Sequence, residues 1–280
     1  MNIVKEQFIN HEVNKPYICE DIRHLLNKLL NNERVIFTKF GDGEYLCMKL
    51  ENIGSCNIDK DTYTLELGLK LREAFCNLCN KSDKENIYIG RWHSDDKKVS
   101  IFYCNLLYDF YITNNIELKP VPFVNYHFCL NDYNFNKNNV LFEFVKTIKN
   151  INKTKIIVSN YRNKKLSVIF NGNYYIEIPF DSWFANGYYN RLENNLTELL
   201  NINNDAIVLI AGGLASKIII SNLSDKFPKT NFIDIGSSFD ILVSKTNTRD
   251  WGQGKEDFAN NYKNQYEYYK DILPDNYNDI

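Results

Sequence analysis

Short, uninterrupted apolar runs, each closed by a turn and followed by a helical pattern, restrict this chain to few architectures. Ala206-Ile207-Val208-Leu209-Ile210 has no polar alternation and breaks at Ala211-Gly212-Gly213. Leu214 to Leu223 then resumes apolar residues at helical spacing, and Phe232-Ile233-Asp234-Ile235-Gly236 reads as the next strand. A strand with one face in water alternates apolar and polar residues, whereas a strand covered on both faces does not. Val35-Ile36-Phe37, Ile87-Tyr88-Ile89-Gly90 and Lys155-Ile156-Ile157-Val158-Ser159 have the same character, and Tyr174 to Ile178 reads as a further strand. Strands of this kind separated by helices predict an α/β fold with a mostly parallel sheet and helices on both faces.

The intervening segments fit that scheme. Ile18 to Asn31 repeats apolar residues at helical spacing, and further helices are expected over 61–80, 99–112, 140–151, 166–170 and 184–200. Val121 to Val124 is expected as an edge or strand-start segment because Pro122 cannot donate to a ladder. Neither an internal repeat nor a low-complexity linker interrupts the chain, so residues 1–280 are read as one domain, with 246–280 a polar, aromatic C-terminal extension.

With 280 residues, the chain is long enough for a large core. Its net charge of -2 gives no general basic field, so nucleic acid is disfavoured as the main partner. No apolar run reaches the length of a membrane span, and 1–15 is too polar for a signal peptide, so a soluble, cytoplasmic protein is expected. Seven cysteines, an odd number scattered through apolar segments, fit reduced buried thiols. Cys76 and Cys79 form a lone Cys-x-x-Cys inside a helical pattern and are expected to face the core.

Chemistry concentrates at the strand ends. Val35 to Phe40 runs into Gly41-Asp42-Gly43-Glu44, which sets two carboxylates one residue apart between two glycines. Hard divalent cations prefer oxygen ligands, and Mg²⁺ commonly takes one or two protein carboxylates with water and phosphate completing the shell. The glycines allow a diphosphate to approach the backbone. The same Asp-Gly is also the signature of a two-residue β-hairpin, which leaves Glu44 merely solvated, and on the residues alone the hairpin stands slightly ahead; against it, the continuous Val35-Ile36-Phe37 suits a buried parallel strand better.

Two other groups are candidates. Gly212, Gly213 and Lys217 open a helix after a buried strand, where free N–H groups and a lysine could receive a phosphate, although neither a P-loop nor a dinucleotide fingerprint is present. Arg91, His93, Asp95 and Asp96 follow a strand closely enough to offer a diphosphate contact or a general base. His127 and Asp181 are weaker candidates, and Asp181 or Ser182 also reads as a helix N-cap.

Lys39-Phe40-Gly41-Asp42-Gly43-Glu44 resembles the Arg-Phe-Gly-Asp-Gly-Glu signature of GT-D-type glycosyltransferases. The order of later blocks is similar too: the strand before Ser159, Ile178-Pro179, the turn from Ile210 to Lys217, and Asp234-Ile235-Gly236. The resemblance spans about residues 34–242. It implies a Rossmann-like glycosyltransferase in which Asp42 and Glu44 bind Mn²⁺ or Mg²⁺ and a nucleoside-diphosphate sugar, UDP-linked as the first choice. The acceptor implied is a hydroxyl of a glycan, glycoprotein or glycolipid. On this reading Asp42, Glu44 and His93 are the catalytic candidates, and Gly41, Gly43, Arg91, Gly212, Gly213 and Lys217 contact the donor. The chain departs from the pattern at Lys39, which keeps the charge of the usual arginine without its bidentate fork, and at Ser237, where histidine is common. A Rossmann-like enzyme of other chemistry, such as a methyltransferase, and a non-catalytic nucleotide-sugar binding module are the alternatives, and self-association into a homo-oligomer stays open.

Overall fold

The computed structural model describes residues 3–14, 22–57, 60–81, 86–91, 97–113, 123–125, 140–239, 243 and 273. Among the described residues, seven strands form one parallel sheet: β1 (Ile36–Phe40), β2 (Ile87–Arg91), β3 (Phe123–Asn125), β4 (Lys155–Asn160), β5 (Tyr174–Ile178), β6 (Ile207–Ala211) and β7 (Asn231–Asp234). Their order across the sheet is β3-β2-β1-β7-β6-β4-β5, and every pairing is parallel.

The helices are α1 (Ile3–Asn14), α2 (Arg23–Leu30), α3 (Asp42–Met48), α4 (Leu65–Lys81), α5 (Lys97–Thr113), α6 (Val140–Asn150), α7 (Leu166–Ile169), α8 (Tyr188–Ile202) and α9 (Ser216–Lys226). They cover both faces of the sheet. One core joins Ile36, Phe40, Val208, Ile210 and Phe232 to α3, α4, α5, α8 and α9; the other joins Val35, Phe37, Ile207, Leu209 and Ile233 to α2, α6 and α7. Successive strand residues therefore enter opposite cores, which is the physical reason the runs are continuous in apolarity.

The hairpin reading of Asp42-Gly43 fails. β1 pairs in parallel with β2 on one side and β7 on the other, and the residues after Gly41 form α3 rather than a returning strand. The continuous Val35-Ile36-Phe37 run already required cover on both faces, and a two-residue turn back into an exposed strand would not have supplied it.

The expected helix from Phe184 begins later, at Tyr188, with Gly187 at its N-cap in the left-handed region (φ 74°). Ser182 caps nothing there. Its hydroxyl donates to the Lys60 carbonyl (2.9 Å) and accepts the Thr62 N–H (3.2 Å), tying the loop between α3 and α4 to the end of β5. β3 lies at a sheet edge, as the proline suggested, while β7 is inserted between β1 and β6. Cys76 and Cys79 are part-buried, and Cys79 packs against the first core. Of the expected C-terminal extension only Leu273 lies among the described residues, and it is buried in the second core. Among the described residues, no helix is long and apolar enough to cross a membrane.

Candidate functional site

Because the strands are parallel, all their carboxyl ends lie along one edge, the edge at which α/β folds bind ligands. There Gly41 leaves β1 in an extended conformation and serves as the N-cap of α3. Asp42, Gly43 and Glu44 occupy the first turn. Residues two apart on a helix do not share a face, and the two acids accordingly have different surroundings: Asp42 is exposed and Glu44 is buried.

Glu44 is fully engaged from inside. Its Oε2 accepts the Gly41 N–H (2.8 Å), closing the helix start, and its Oε1 lies 3.0 Å from Lys217 Nζ. Lys217 also lies 2.9 Å from Asp234 Oδ2 and donates to the Gly213 carbonyl (3.0 Å) and Ser216 Oγ (3.3 Å). An ammonium has three protons, so these four acceptors saturate it. Asp234 accepts in addition the N–H groups of Gly236 (3.0 Å) and Lys39 (3.4 Å). Burial alone would lower the Lys217 pKa, but Asp234 and Glu44 outweigh it and hold the ammonium above its ordinary value. One buried cation thus joins the ends of β1, β6 and β7.

The turn after β6 is occupied as well. Gly213 has φ 62°, and an added Cβ would collide with Asp61 Oδ2. Asp61 accepts the Leu214 N–H (3.3 Å) and is held by Asn57, whose side-chain carbonyl accepts the Asp61 N–H (2.8 Å). A Cβ on Gly43 would meet Leu214 Cδ2 at 3.3 Å and Asn57 Nδ2 at 3.6 Å, so this glycine lets the two turns close on each other. Trp183 is buried beside them, its indole N–H donating to the Gly212 carbonyl (2.9 Å).

The geometry therefore brings Gly41, Asp42, Gly43 and Glu44 together with Gly212, Gly213 and Lys217. It points Lys217 into carboxylates rather than outward, and it sets Asp61 where a phosphate was expected. Arg91 ends β2 beside Phe40 in register, so its backbone reaches the same edge. His93, Asp95, Asp96 and His127 lie outside the described residues. Asp181 is exposed after β5. Asp61, Asn57 and Trp183 were missed as site residues because no motif marks them; the pairing of Lys217 with Asp234 joins segments that only the folded sheet brings together.

Negative charge gathers at this point. Burial first, then the charges of Cys47, Glu44, Asp42 and Asp61, push the Tyr63 hydroxyl well above its ordinary pKa. Burial, with Glu44 and Asp61 behind it, pushes the Cys47 thiol up to about 12 against the opposing charge of Arg72. Among the described residues no group of three or more His, Cys, Asp or Glu side chains is arranged to hold a metal ion by itself. A site completed by water and phosphate needs fewer protein ligands. Exposed Asp42, in a negatively charged corner, fits the role of a single protein carboxylate; Glu44, with both oxygens engaged, fits that of its support.

Solved structures with a similar fold include a selenomethionine-substituted domain of unknown function 1792, which superposes with a TM-score of 0.59 at 17% identity, covering 84% of this chain and 82% of that one. A second, described as showing that this domain has a distinct glycosyltransferase fold, gives a TM-score of 0.58 at 17% identity over 83% and 82%. The chain shares the fold of these domains. A third, a new glycosyltransferase (DUF1792) from Streptococcus sanguinis, gives a TM-score of 0.53 at 15% identity over 78% and 80%. No protein-family model matches the sequence, and no curated protein does.

Proposed function

We propose that this protein is a glycosyltransferase that moves a sugar from a nucleoside-diphosphate sugar, UDP-linked as the first choice, to an acceptor hydroxyl of a glycan or glycoconjugate. The observation that carries the reading is an exposed carboxylate, Asp42, held by a buried ionic scaffold at the carboxyl edge of a glycosyltransferase fold. Mn²⁺ or Mg²⁺ bound at Asp42 would supply positive charge against the departing diphosphate. The chain's own contribution is placement. Glu44 closes the start of α3 and fixes the direction of Asp42, Lys217 locks Glu44 to Asp234, and Asp61 with Asn57 holds the second glycine turn against the first. Gly43, with the Leu214 and Asn57 side chains close against it, marks the seam along which the donor would lie. His93, two residues beyond β2 in the sequence, is proposed as the base that accepts the acceptor's proton.

A thermal-shift panel tests this reading. A ligand that binds only the folded protein raises its Tm. UDP-sugars with Mn²⁺ are expected to stabilise the protein more than GDP- or TDP-sugars do, and donor hydrolysis should accompany binding. Stabilisation by S-adenosylmethionine with no response to any sugar nucleotide would contradict it; a response without hydrolysis would leave a binding module.

A further inference from the structure

We infer that the ends of β4 and β5 form an acceptor subsite for an anionic sugar, one carrying a carboxylate or a phosphate, with Arg162 as its recognition residue. The inference rests on the glycosyltransferase reading for the word acceptor; the anion site itself rests on the geometry below.

Tyr161-Arg162-Asn163 forms a single 3₁₀ turn directly after β4, and Pro179-Phe180 follows β5, so both segments lie on the same sheet edge as Asp42. The Arg162 guanidinium is centred 3.8 Å from the Phe180 ring centroid and 5.6 Å from that of Tyr161. Its Nε donates to the Tyr161 hydroxyl (3.2 Å), and its backbone N–H donates to Asn160 Oδ1 (3.0 Å), which starts the turn. The side chain is thus held over the Phe180 ring and tied to the Tyr161 hydroxyl while remaining exposed. Tyr161 is 57% exposed, a large aromatic face turned to water.

Arg162 makes no ion pair among the described residues. Part-buried cations elsewhere do find acids, as Arg23 does with Glu143 and Lys81 with Asp225. Lys164 is exposed two residues on, and Lys60, also exposed, is tied to this corner through Ser182. Asp181 is the exposed acid next to Phe180. Arg162 and Lys164 thus stand exposed two residues apart at the end of β4. A guanidinium with its Nε occupied and its orientation fixed offers its two terminal nitrogens as a fork, the geometry that matches a carboxylate or phosphate. The adjoining Tyr161 face suits the apolar side of a sugar ring.

The location favours acceptor over donor. β4 and β5 lie three and four strand spacings from β1, which is about 14 and 19 Å at the usual interstrand distance. The donor's diphosphate would sit at Asp42 under the proposed function, so Arg162 is left to bind the far part of the second substrate.

The test is a ligand-observed NMR titration of the full chain with glucuronic acid, glucose 6-phosphate and glucose. Wild type is expected to bind at least one of the two anionic sugars about tenfold more tightly than glucose, the worth of a charge-assisted pair. Which of the two binds tells carboxylate from phosphate. Arg162→Ala should lose the preference, and Arg162→Lys should retain part of it, since a point charge replaces a fork. Equal binding of all three sugars by wild type, or an unchanged preference in Arg162→Ala, overturns the inference. Loss of the UDP-sugar thermal shift in Arg162→Ala also overturns it, by assigning the residue to the donor. Failure of wild type to respond to any sugar nucleotide would instead strike the glycosyltransferase reading, and the anionic sugars would still report on Arg162.

Discussion

At the ends of β1, β6 and β7 the charges face inward, and at the ends of β4 and β5 they face out. Lys217, Glu44 and Asp234 are buried and satisfy one another, whereas Arg162 and Lys164 stand in solvent on the same edge of the same sheet. Buried ions cost desolvation that their pairing only offsets, so such a network contributes a defined arrangement more than net stability. Exposed ions contribute little to stability and remain available to a ligand. The contrast separates residues that shape the site from residues that touch what enters it. Asp42 is informative because it belongs to the first region by position and to the second by exposure.

The contrast breaks most visibly at Lys217. Replacing it with methionine leaves two carboxylates buried without their cation, and a loss of about 3–5 kcal/mol is expected in urea unfolding. Adding Glu44→Gln to Lys217→Met should recover part of that loss by removing one of the stranded charges. A Lys217→Met protein as stable as wild type would mean that the inward-facing region is not a scaffold.

Gly213→Ala comes next. It places a side chain at φ 62° and against Asp61, and a cost of about 1–3 kcal/mol is expected for the strained backbone. A smaller drop in Tm than in Gly187→Ala, where φ is 74° but no atom lies within reach of an added Cβ, would show that Asp61 yields easily.

A pH titration sharpens the same region. Burial holds the protons of Cys47 and Tyr63 more tightly in the folded protein than in the unfolded chain. Below pH 9.0, the ordinary value for a thiol, both states keep the Cys47 proton and stability is unaffected. Above it the unfolded chain releases the proton first, so stability falls as pH rises towards about 12. Tm should therefore decline from pH 9 upward, and a thiol reagent at pH 8 should label exposed Cys56 well before buried Cys47. Equal labelling rates would contradict the burial of Cys47.

The smallest expected effect belongs to the outward region. Arg162→Ala should change unfolding free energy by no more than about 0.5 kcal/mol, as surface substitutions usually do. A larger loss would move Arg162 from the contact class to the scaffold class.

The layers of this fold were legible because burial on both faces removes polar alternation, and Val35-Ile36-Phe37 and Ala206 to Ile210 display that directly. The order of the strands was not. Nothing in residues 231–234 says that β7 lies between β1 and β6, because parallel pairing is set by crossovers and not by local pattern. Helix α1 was unread for a different reason: Ile3 to Asn14 carries little apolar periodicity. Within the site, Gly41 to Glu44 stood out as a motif, yet the motif treats its two acids alike. The helix that begins at Asp42 separates them, sending one to water and the other to Lys217. Asp61 and Trp183 act through contacts between distant loops, where no spacing could announce them.

Donor turnover by Asp42→Ala, measured beside its Tm, tests the division between scaffold and contact most directly. With a UDP-sugar and Mn²⁺, the account predicts a fall on the order of 100-fold in donor hydrolysis, the usual effect of losing one charge-stabilising group, with Tm within a degree or so of wild type. Wild-type turnover in a folded Asp42→Ala protein would contradict it.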